Sequence, residues 1–249
     1  PEFELLDTGI FDDDRYFDVF VEYAKASPDD MLMQVTVHNR GPAEASIHVL
    51  PQLWFRNRWS WNKDSKKPRL RLTGDGAIEA CDEPRPVYRL YAEHAPRAMF
   101  CENETNSRRL FALDVPGPFK DAFHEFIVRG DHSALSVEPT GTKAAFHHVL
   151  VIPGGAFRQV RLRLTANATM KPFADFEQIV SRRRDEADEF YAELQADIVD
   201  PDARLVQRQA FAGMIWSKQF YHYDVPKWLN GDAAQPAPPA ERKHGRNHD

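Results

Sequence analysis

The stretch Met31-Leu-Met-Gln-Val-Thr-Val-His38 is followed by the turn Asn39-Arg-Gly-Pro42 and the run Ala45-Ser-Ile-His-Val-Leu50, and together they decide the fold class. Both runs are rich in apolar and β-branched residues, which favours strands. Asn and Gly in the turn between them can supply a positive φ. Because two strands joined by such a turn form a β-hairpin, the sequence predicts an antiparallel hairpin here.

The same strand pattern continues on both sides of this hairpin, from Glu2 to about Thr165. Short runs of β-branched and aromatic residues are bounded there by Gly, Pro, Asn or Asp. The further predicted strands are Tyr16–Ala24, Arg69–Thr73, Val87–His94, Ala98–Glu102, Arg109–Leu113, His124–Val128, Thr142–Ile152 and Phe157–Thr165. Strands at this spacing are typical of an antiparallel sandwich. We therefore predict a mostly β fold, with a β-sandwich domain over residues 1–170.

The segment Pro51–Trp61 extends the return strand and carries aromatic residues on both faces. Alternation places Leu53, Phe55, Asn57, Trp59 and Trp61 on one face, and Trp54, Arg56 and Arg58 on the other. Aromatic residues on both faces predict that both are covered, by the sandwich core on one side and by a domain interface on the other. Direct contact with a ligand is the alternative interpretation.

The polar segment Glu102-Asn-Glu-Thr-Asn106 contains two carboxylates two residues apart. In a strand these carboxylates share a face, where they could bind a cation or the basic group of a partner. In a turn, the same side chains satisfy backbone groups instead. The segment Asp64–Pro68, further upstream, is predicted to be an exposed loop.

The composition changes after Met170, where we predict a first helix. Apolar residues recur at three- and four-residue steps from Pro172 to Leu194, which indicates an amphipathic linker helix within residues 171–199. Its other face carries charges at ion-pair spacing, Arg182 to Glu186 and Arg184 to Asp188. This mutual neutralisation favours a solvated face over a nucleic-acid site.

Asp200 and Pro201 indicate the start of a second helix, which we expect to run to about Phe220. Its apolar residues are spread around much of its circumference, which is typical of a helix surrounded by others. The Pro- and Gly-rich stretch after Trp228 predicts a loop rather than a companion helix. We therefore expect residues 200–249 to begin a helical domain that continues beyond Asp249.

Charge and cysteine content limit the functional classes. A net charge of −6 and a pI near 5.9 argue against a nucleic-acid partner, which usually requires a basic domain. Because no apolar run reaches about 18 residues, we expect no membrane association. Cys81 and Cys101 fit no metal spacing and are too few for a disulfide framework. The sequence therefore predicts two reduced thiols in a cytoplasmic protein.

Candidate metal ligands are few. Asp12-Asp-Asp14 lacks the glycine and the distal glutamate of a calcium loop. His147 and His148 are adjacent in a predicted strand, so they point to opposite faces and cannot share one metal. The sequence also lacks a glycine-rich phosphate loop, a serine nucleophile elbow and a paired-cysteine zinc motif. We therefore expect neither a metal nor a cofactor.

The stretch Trp216-Ser-Lys-Gln-Phe-Tyr-His-Tyr-Asp-Val-Pro-Lys-Trp228 is the part of the chain most typical of a binding site. Its five aromatic rings offer apolar faces that can stack on a sugar or a base, and its aspartate can accept hydrogen bonds from hydroxyls. The alternative is a buried aromatic helix end.

Five segments resemble bacterial proteins related to glycoside hydrolase family sixty-three, which includes the processing α-glucosidases and is similar to mannosylglycerate hydrolases. The segments are Pro1–Phe11, Leu53–Asn57, Glu102–Asn106, Gly141–Ala145 and Arg208–Tyr221. The resemblance covers essentially the whole chain. It implies a β-sandwich of the super-sandwich type, a linker helix, and the first helix of a truncated (α/α)6 barrel.

The resemblance also implies an activity and a sugar pocket. Inverting glycoside hydrolases use two carboxylic acids roughly 6.5 to 9.5 Å apart. In the family both lie on the barrel, beyond the reach of this chain, so no catalytic residue is assigned. Carried over by motif, the residues that bind the terminal sugar are Tyr221, Tyr223 and Asp224, followed by Trp216 and Trp228. A tyrosine replaces a tryptophan that some relatives have there.

The resemblance therefore implies that the intact protein hydrolyses an α-glucosyl or α-mannosyl substrate, and that its sandwich packs on its own helical barrel. The isolated chain is expected to be inactive. The alternative is a non-catalytic carbohydrate-binding or scaffolding module in which the sandwich itself acts. The two hypotheses differ in whether the gene continues into further helices that carry an acidic pair.

Overall fold

Antiparallel strands form most of the secondary structure in residues 2–176 of this computed structural model, which describes residues 2–60, 65–169, 171–218, 223–231 and 236–245. The strands are β1 (Phe17–Ser27), β2 (Asp30–Asn39), β3 (Ala45–Val49), β4 (Gln52–Trp54), β5 (Arg69–Leu72), β6 (Ile78–Cys81), β7 (Tyr88–Ala92), β8 (Arg97–Cys101), β9 (Thr140–Gly141), β10 (Lys143–Ile152) and β11 (Phe157–Thr165). The helices are α1 (Ser107–Phe111), α2 (Ala122–Arg129), α3 (Phe176–Leu194), α4 (Pro201–Ser217) and α5 (Val225–Asn230). The prediction of a mostly β fold is confirmed.

The strands form two sheets that share one core. The larger sheet has the order β1-β2-β11-β7-β6-β5-β9, and in the smaller sheet β10 pairs with β3, β4 and β8. Val35 and Leu162 of the larger sheet lie in the same hydrophobic cluster as Phe100 and Phe146 of the smaller sheet. Since both sheets bury one face in this cluster, the arrangement is sandwich-like.

The hairpin predicted over 31–50 is wrong. Strand β2 pairs with β1 and β11, whereas β3 pairs with β10 of the other sheet. The turn Asn39–Pro42 carries the chain from the larger sheet to the smaller one, and the hairpin in this region is β1 with β2. The turn residues are compatible with both paths, since a positive φ does not specify which strand a segment pairs with.

The buried side chain of Asn39, which is 3% exposed, holds the connection between β2 and β3 in place. Its Nδ2 donates to the carbonyl oxygens of Ala43 and Ile152, both at 2.8 Å, and its Oδ1 accepts from the backbone N–H of Gly41 at 3.0 Å. A Cβ at Gly154 would lie 2.4 Å from the carbonyl oxygen of Pro42. The connection from β2 to β3 is therefore packed against the connection from β10 to β11.

Two segments predicted as strands, Arg109–Leu113 and His124–Val128, are not strands: the first is helical up to Phe111 and the second throughout. In α1 the Oδ1 of Asn106 caps the helix by accepting from the backbone N–H of Arg109 at 3.0 Å. In α2 the buried side chain of Phe123 joins Met99 and Cys101 in a second core, on the outer face of the smaller sheet. Short apolar runs do not distinguish a strand from a helix by periodicity alone, which explains both errors.

The predicted strand Pro51–Trp61 is regular only over β4. Leu53, Phe55 and Trp59 are nevertheless half-buried, as the alternation predicted. Trp54 on the opposite face is 54% exposed within the described residues, so the domain interface expected on that face stays a prediction. Trp61 lies outside the described residues.

Arg163 on β11 holds the segment that connects β11 to α3. Its Nε and Nη2 donate to the Asp30 carboxylate at 2.8 and 2.6 Å, and its Nη1 donates to Asp175 at 2.6 Å and to the carbonyl oxygen of Pro172 at 2.9 Å. A largely buried guanidinium needs hydrogen-bonding partners for its charge. Pro172 and Asp175 supply two of them, so the residues just before Phe176 are held against β11. Helix α3 begins at Phe176, later than the predicted Pro172.

The described residues separate into two compact units, one of residues 1–57 and 66–176 and one of residues 58–65 and 177–249. In the second unit, the Asp200 side chain caps α4, as predicted, by accepting from the backbone N–H of Asp202 at 3.1 Å. Asp188 pairs with Arg208 at 2.5 Å. The division into 1–170, 171–199 and 200–249 stays a prediction.

The apolar surface of α4 is largely exposed within the described chain. The most exposed large side chains are Leu205, Val206, Met214, Ile215 and Trp216. Ile215, for example, is 70% exposed. No helix in the described ranges combines the length and the apolar character needed to cross a bilayer.

Replacing Asn39 with alanine is expected to lower the free energy of unfolding by about 2 to 4 kcal/mol, because three backbone groups, two of them in buried hydrogen bonds, lose their partner. Urea denaturation followed by circular dichroism measures this change. The control is Asn230→Ala, whose Nδ2 donates to the carbonyl oxygen of Pro226 on an exposed helix. Equal effects of the two variants would contradict the role of Asn39.

Candidate functional site

Three of the five segments that carry the family resemblance meet at one place, the three-segment junction. They are Leu53–Asn57, Glu102–Asn106 and Gly141–Ala145. The Nδ2 of Asn103 donates to the carbonyl oxygen of Phe55 at 2.8 Å, and its backbone N–H donates to Thr142 Oγ1 at 2.7 Å. Thr142 Oγ1 donates to Glu102 Oε2 at 2.6 Å, and the N–H of Phe55 donates to the carbonyl oxygen of Thr142 at 3.1 Å.

Strand β10 brings the junction together because it is paired on both edges. Lys143 and Ala144 are opposite residues of both β4 and β8. Just before this strand, Gly141 approaches the backbone so closely that a Cβ would lie 2.3 Å from the carbonyl oxygen of Cys101. Only glycine fits at this contact, which fixes how the end of β8 and the start of β10 lie together.

The two carboxylates of the junction bind one lysine. Lys67 Nζ lies 3.0 Å from Glu102 Oε2 and 2.9 Å from Glu104 Oε1. Burial alone lowers the pKa of Lys67, but the hydrogen bonds and charges of Glu104 and Glu102 outweigh this effect and raise the pKa above its ordinary value. Lys67 therefore stays protonated and neutralises half of the acidic charge.

Both interpretations of Glu102–Asn106 thus hold in part. Asn103 and Asn106 satisfy backbone groups, as expected of a turn. The carboxylates bind a basic group, but it comes from the same chain. Sequence reasoning missed Lys67, which was placed in an exposed loop, because no local pattern links it to acidic residues so far along the chain.

The predicted sugar-binding residues Tyr223, Asp224 and Trp228 lie together at the start of α5. Asp224 is the N-cap residue, and its Oδ1 accepts from the backbone N–H of Lys227 at 3.0 Å. The ring centroids of Tyr223 and Trp228 are 6.2 Å apart, with 48° between the ring planes. The Arg242 guanidinium lies 5.0 Å from the centroid of the Trp228 ring, and its Nη1 donates to the Trp228 carbonyl oxygen at 3.0 Å.

This arrangement offers an acceptor beside aromatic surface. Tyr223 is 41% exposed and the Asp224 side chain is exposed. Tyr221 lies outside the described residues. Trp216 lies in the last turn of α4 and is 69% exposed, so a fully buried aromatic helix end does not describe this residue.

His147 lies against the ring of His48 rather than beside other metal-ligating side chains of the described residues. His147 Nε2 lies 2.8 Å from Nδ1 of His48, and the two rings stack at 11° with centroids 5.1 Å apart. Burial of the His147 ring, then the neighbouring charges of His48 and Arg97, lower the pKa of His147. Within the described ranges, no group of three or more His, Cys, Asp or Glu residues is placed to hold a metal.

Both cysteines are free thiols. Burial raises the pKa of the Cys101 thiol to about 12. Burial, followed by the charge of Glu79, also raises the pKa of Cys81. Because the thiolate is the reactive form, neither thiol is suited to nucleophilic chemistry at neutral pH.

Comparison with known proteins adds one relative. No protein-family model matches the chain. The chain is similar to "Uncharacterized protein YMR196W" of Saccharomyces cerevisiae, with 32% identity over 294 residues. The match covers 99% of this chain and 27% of the yeast protein. The chain thus spans about a quarter of the length of this relative.

The Lys67 ion pairs can be tested by a double-mutant cycle on Lys67→Met and Glu104→Gln. Both groups are partly exposed, so we expect a coupling of about 0.5 to 1 kcal/mol in the free energy of unfolding. Urea denaturation of the four proteins measures it. As a control, the exposed pair of Lys66 and Glu83 is expected to couple more weakly. A coupling at Lys67 no larger than at Lys66 would contradict the expectation that the less exposed pair interacts more strongly.

The histidine pair predicts a pH dependence of stability. The folded-state pKa of His147 is lowered, so its contribution is complete above the ordinary pKa of about 6.5 and is lost as the pH falls through the folded value. The free energy of unfolding is therefore expected to decrease on acidification below about pH 6.5, and His147→Gln should reduce that decrease. Thermal denaturation at a series of pH values measures it. A decrease of the same size in His147→Gln as in the unchanged protein would contradict the assignment of this effect to His147.

Proposed function

We propose that this chain is the amino-terminal part of an inverting glycoside hydrolase that acts on α-glucosyl or α-mannosyl substrates. The observation that carries the proposal is the cluster at the start of α5, where Asp224 lies between the rings of Tyr223 and Trp228 in sequence and the rings lie 6.2 Å apart. Such a combination suits a sugar, since its C–H face stacks on a ring and its hydroxyls donate to a carboxylate.

Asp224 has one oxygen for each of two roles. Its Oδ1 accepts from the Lys227 N–H and caps α5, while Oδ2 has no hydrogen-bond partner among the described contacts. Because the hydrogen bond at Oδ1 holds the carboxylate group in place, Oδ2 is oriented before the substrate arrives. A sugar hydroxyl bound at Oδ2 would form a charge-assisted hydrogen bond, which is stronger than a neutral one.

In this proposal the chain positions the sugar and other residues cleave it. An inverting hydrolase protonates the leaving oxygen with one carboxylic acid and activates a water molecule with another, roughly 6.5 to 9.5 Å away. We place that pair on an (α/α)6 barrel that begins with α4. The exposed apolar residues of α4 support this, because further barrel helices would cover them.

The length of the yeast relative is compatible with the proposal. Since the chain matches only 27% of that protein, relatives of this chain exist in which much more sequence accompanies the same region. The same proposal includes a carbohydrate substrate and a sandwich of the super-sandwich type. It also includes the division of the chain into residues 1–170, 171–199 and 200–249.

The test is to assay release of sugar from aryl α-glucosides and α-mannosides by the product of the complete gene and its Asp224 variants. Asp224→Asn keeps an acceptor for the helix cap but removes the charge, whereas Asp224→Ala removes both. We expect both variants to lower kcat/KM by about tenfold or more, the cost of losing a hydrogen bond to a charged group. Only Asp224→Ala is expected to lower thermal stability.

Unchanged turnover in Asp224→Asn on every active substrate would exclude Asp224 from the sugar pocket. If the complete gene product carries no further helices with an acidic pair, the hydrolase proposal fails. The alternative of a non-catalytic carbohydrate-binding or scaffolding module would then account for the sandwich.

A further inference from the structure

A cleft of ≈ 500 Å³ lies in the part of the chain that separates β8 from β9, within the first unit. It is lined by residues of α1, α2 and the segment after α2, as well as by Gly117, Pro118 and Phe119. This volume lies within the range of about 300 to 1,000 Å³ that is typical of small-molecule sites. None of the residues predicted from sequence to bind sugar lies in its lining.

The cleft is built by a few polar contacts between its walls. Asn106 donates through Nδ2 to both oxygens of Asp121, at 3.2 and 3.0 Å, while its Oδ1 caps α1. Arg109 Nη1 lies 2.9 Å from Glu125 Oε1 and 3.6 Å from Asp121 Oδ2. Arg129 Nη1 lies 2.9 Å from the other oxygen of Glu125. These contacts join α1 to α2 and hold the charged groups in place.

The guanidinium groups retain donors for a ligand. Arg109 uses only Nη1 in its two ion pairs, and Arg129 uses only Nη1 in its pair, so Nε and Nη2 of both have no partner among the described contacts. Acceptors lie beside them. Asp131 Oδ1 accepts from the N–H and the hydroxyl of Ser133 at 2.9 and 2.6 Å, which leaves this exposed carboxylate further acceptor capacity.

The charges of the lining balance. Three arginines and three carboxylates line the cleft: Arg108, Arg109, Arg129, Asp121, Glu125 and Asp131. An anion would meet the carboxylates and a cation would meet the arginines, so neither is favoured as a ligand. A hydroxyl group both donates and accepts, and adjacent hydroxyls match alternating carboxylates and guanidinium groups.

One wall of the cleft is apolar. It includes the half-buried ring of Phe119 and the residues Gly117 and Pro118 before it. A sugar ring has the same division, with C–H groups on its faces and hydroxyls at its edge, so it can contact the apolar wall while its hydroxyls bind the charged one. An aliphatic ligand would leave the charged wall without partners, at a cost in free energy.

We propose that this cleft binds a neutral saccharide of one or two residues, as a site separate from the cluster at α5. Arg109 and Arg129 donate to ring hydroxyls, Glu125 and Asp131 accept from them, and Phe119 contacts a face of the ring. The site lies wholly in the first unit, so it does not depend on the proposed hydrolase activity.

The test is isothermal titration calorimetry of the 249-residue chain with maltose and α-1,2-mannobiose, with citrate and spermidine as charged comparators. Glu125→Gln and Arg129→Gln remove one acceptor charge and one donor group of the cleft. We expect saturable binding of at least one disaccharide, weakened about tenfold or more by either variant. Arg85→Gln is the matched control, because Arg85 is exposed, pairs with Asp82 and lies outside the cleft.

Circular dichroism and thermal denaturation establish that each variant is folded. Arg129, whose side chain is 57% exposed, carries the test if Glu125→Gln fails to fold. The proposal is overturned if neither disaccharide binds at millimolar concentration, or if citrate or spermidine binds more tightly than both. Binding that persists in Arg129→Gln also overturns it, since the sugar would then lie elsewhere, for example at α5. A failure of the Asp224 variants in the hydrolase assay would not affect this result.

Discussion

The amide side chain of Asn39 is the contact on which the arrangement of the two sheets depends. It satisfies three backbone groups in two different connections, including the carbonyl oxygen of Ile152 at the end of β10. Its own N–H and carbonyl oxygen are bonded to Ala156 and Gly155 at the other connection. Because the β2–β3 and β10–β11 connections meet at this residue, Asn39 holds together two of the places where the chain passes from one sheet to the other.

This constraint explains how distant segments reach the same place. Once β10 is central in the smaller sheet, β4 and β8 lie on its two edges, and Phe55, Glu102 and Thr142 come together although they are far apart in sequence. The close contact of Gly141 with Cys101 then sets the turn that carries the carboxylates to Lys67. The long connection between β8 and β9 adds two helices and the charged cleft to the same sandwich.

Prediction from the sequence succeeded where the pattern is local. Strands β5, β7, β8, β10 and β11 were found, because each is a β-rich run between turn residues. The cap at Asp200 was found for a similar reason. The hairpin was wrong because the pairing of β3 with β10 involves residues about a hundred positions apart. Helices α1 and α2 were missed because the pattern of apolar residues in segments of five and eight residues is too short to separate the two periodicities. Lys67, Arg109 and Glu125 carried no local signal of a site.

The sequence by itself determined that the chain is mostly β before about Met170 and helical after it, and that Asp200 and Pro201 begin a helix. Alternation, helical period and capping residues are properties of neighbouring residues, so they can be read without a fold. Only the tertiary structure decided which sheet receives β3, which lysine meets Glu102 and Glu104, and which charges face each other across the cleft. These outcomes depend on contacts between residues far apart in sequence, and the pairing of strands and the packing of the two sheets alone fix such contacts.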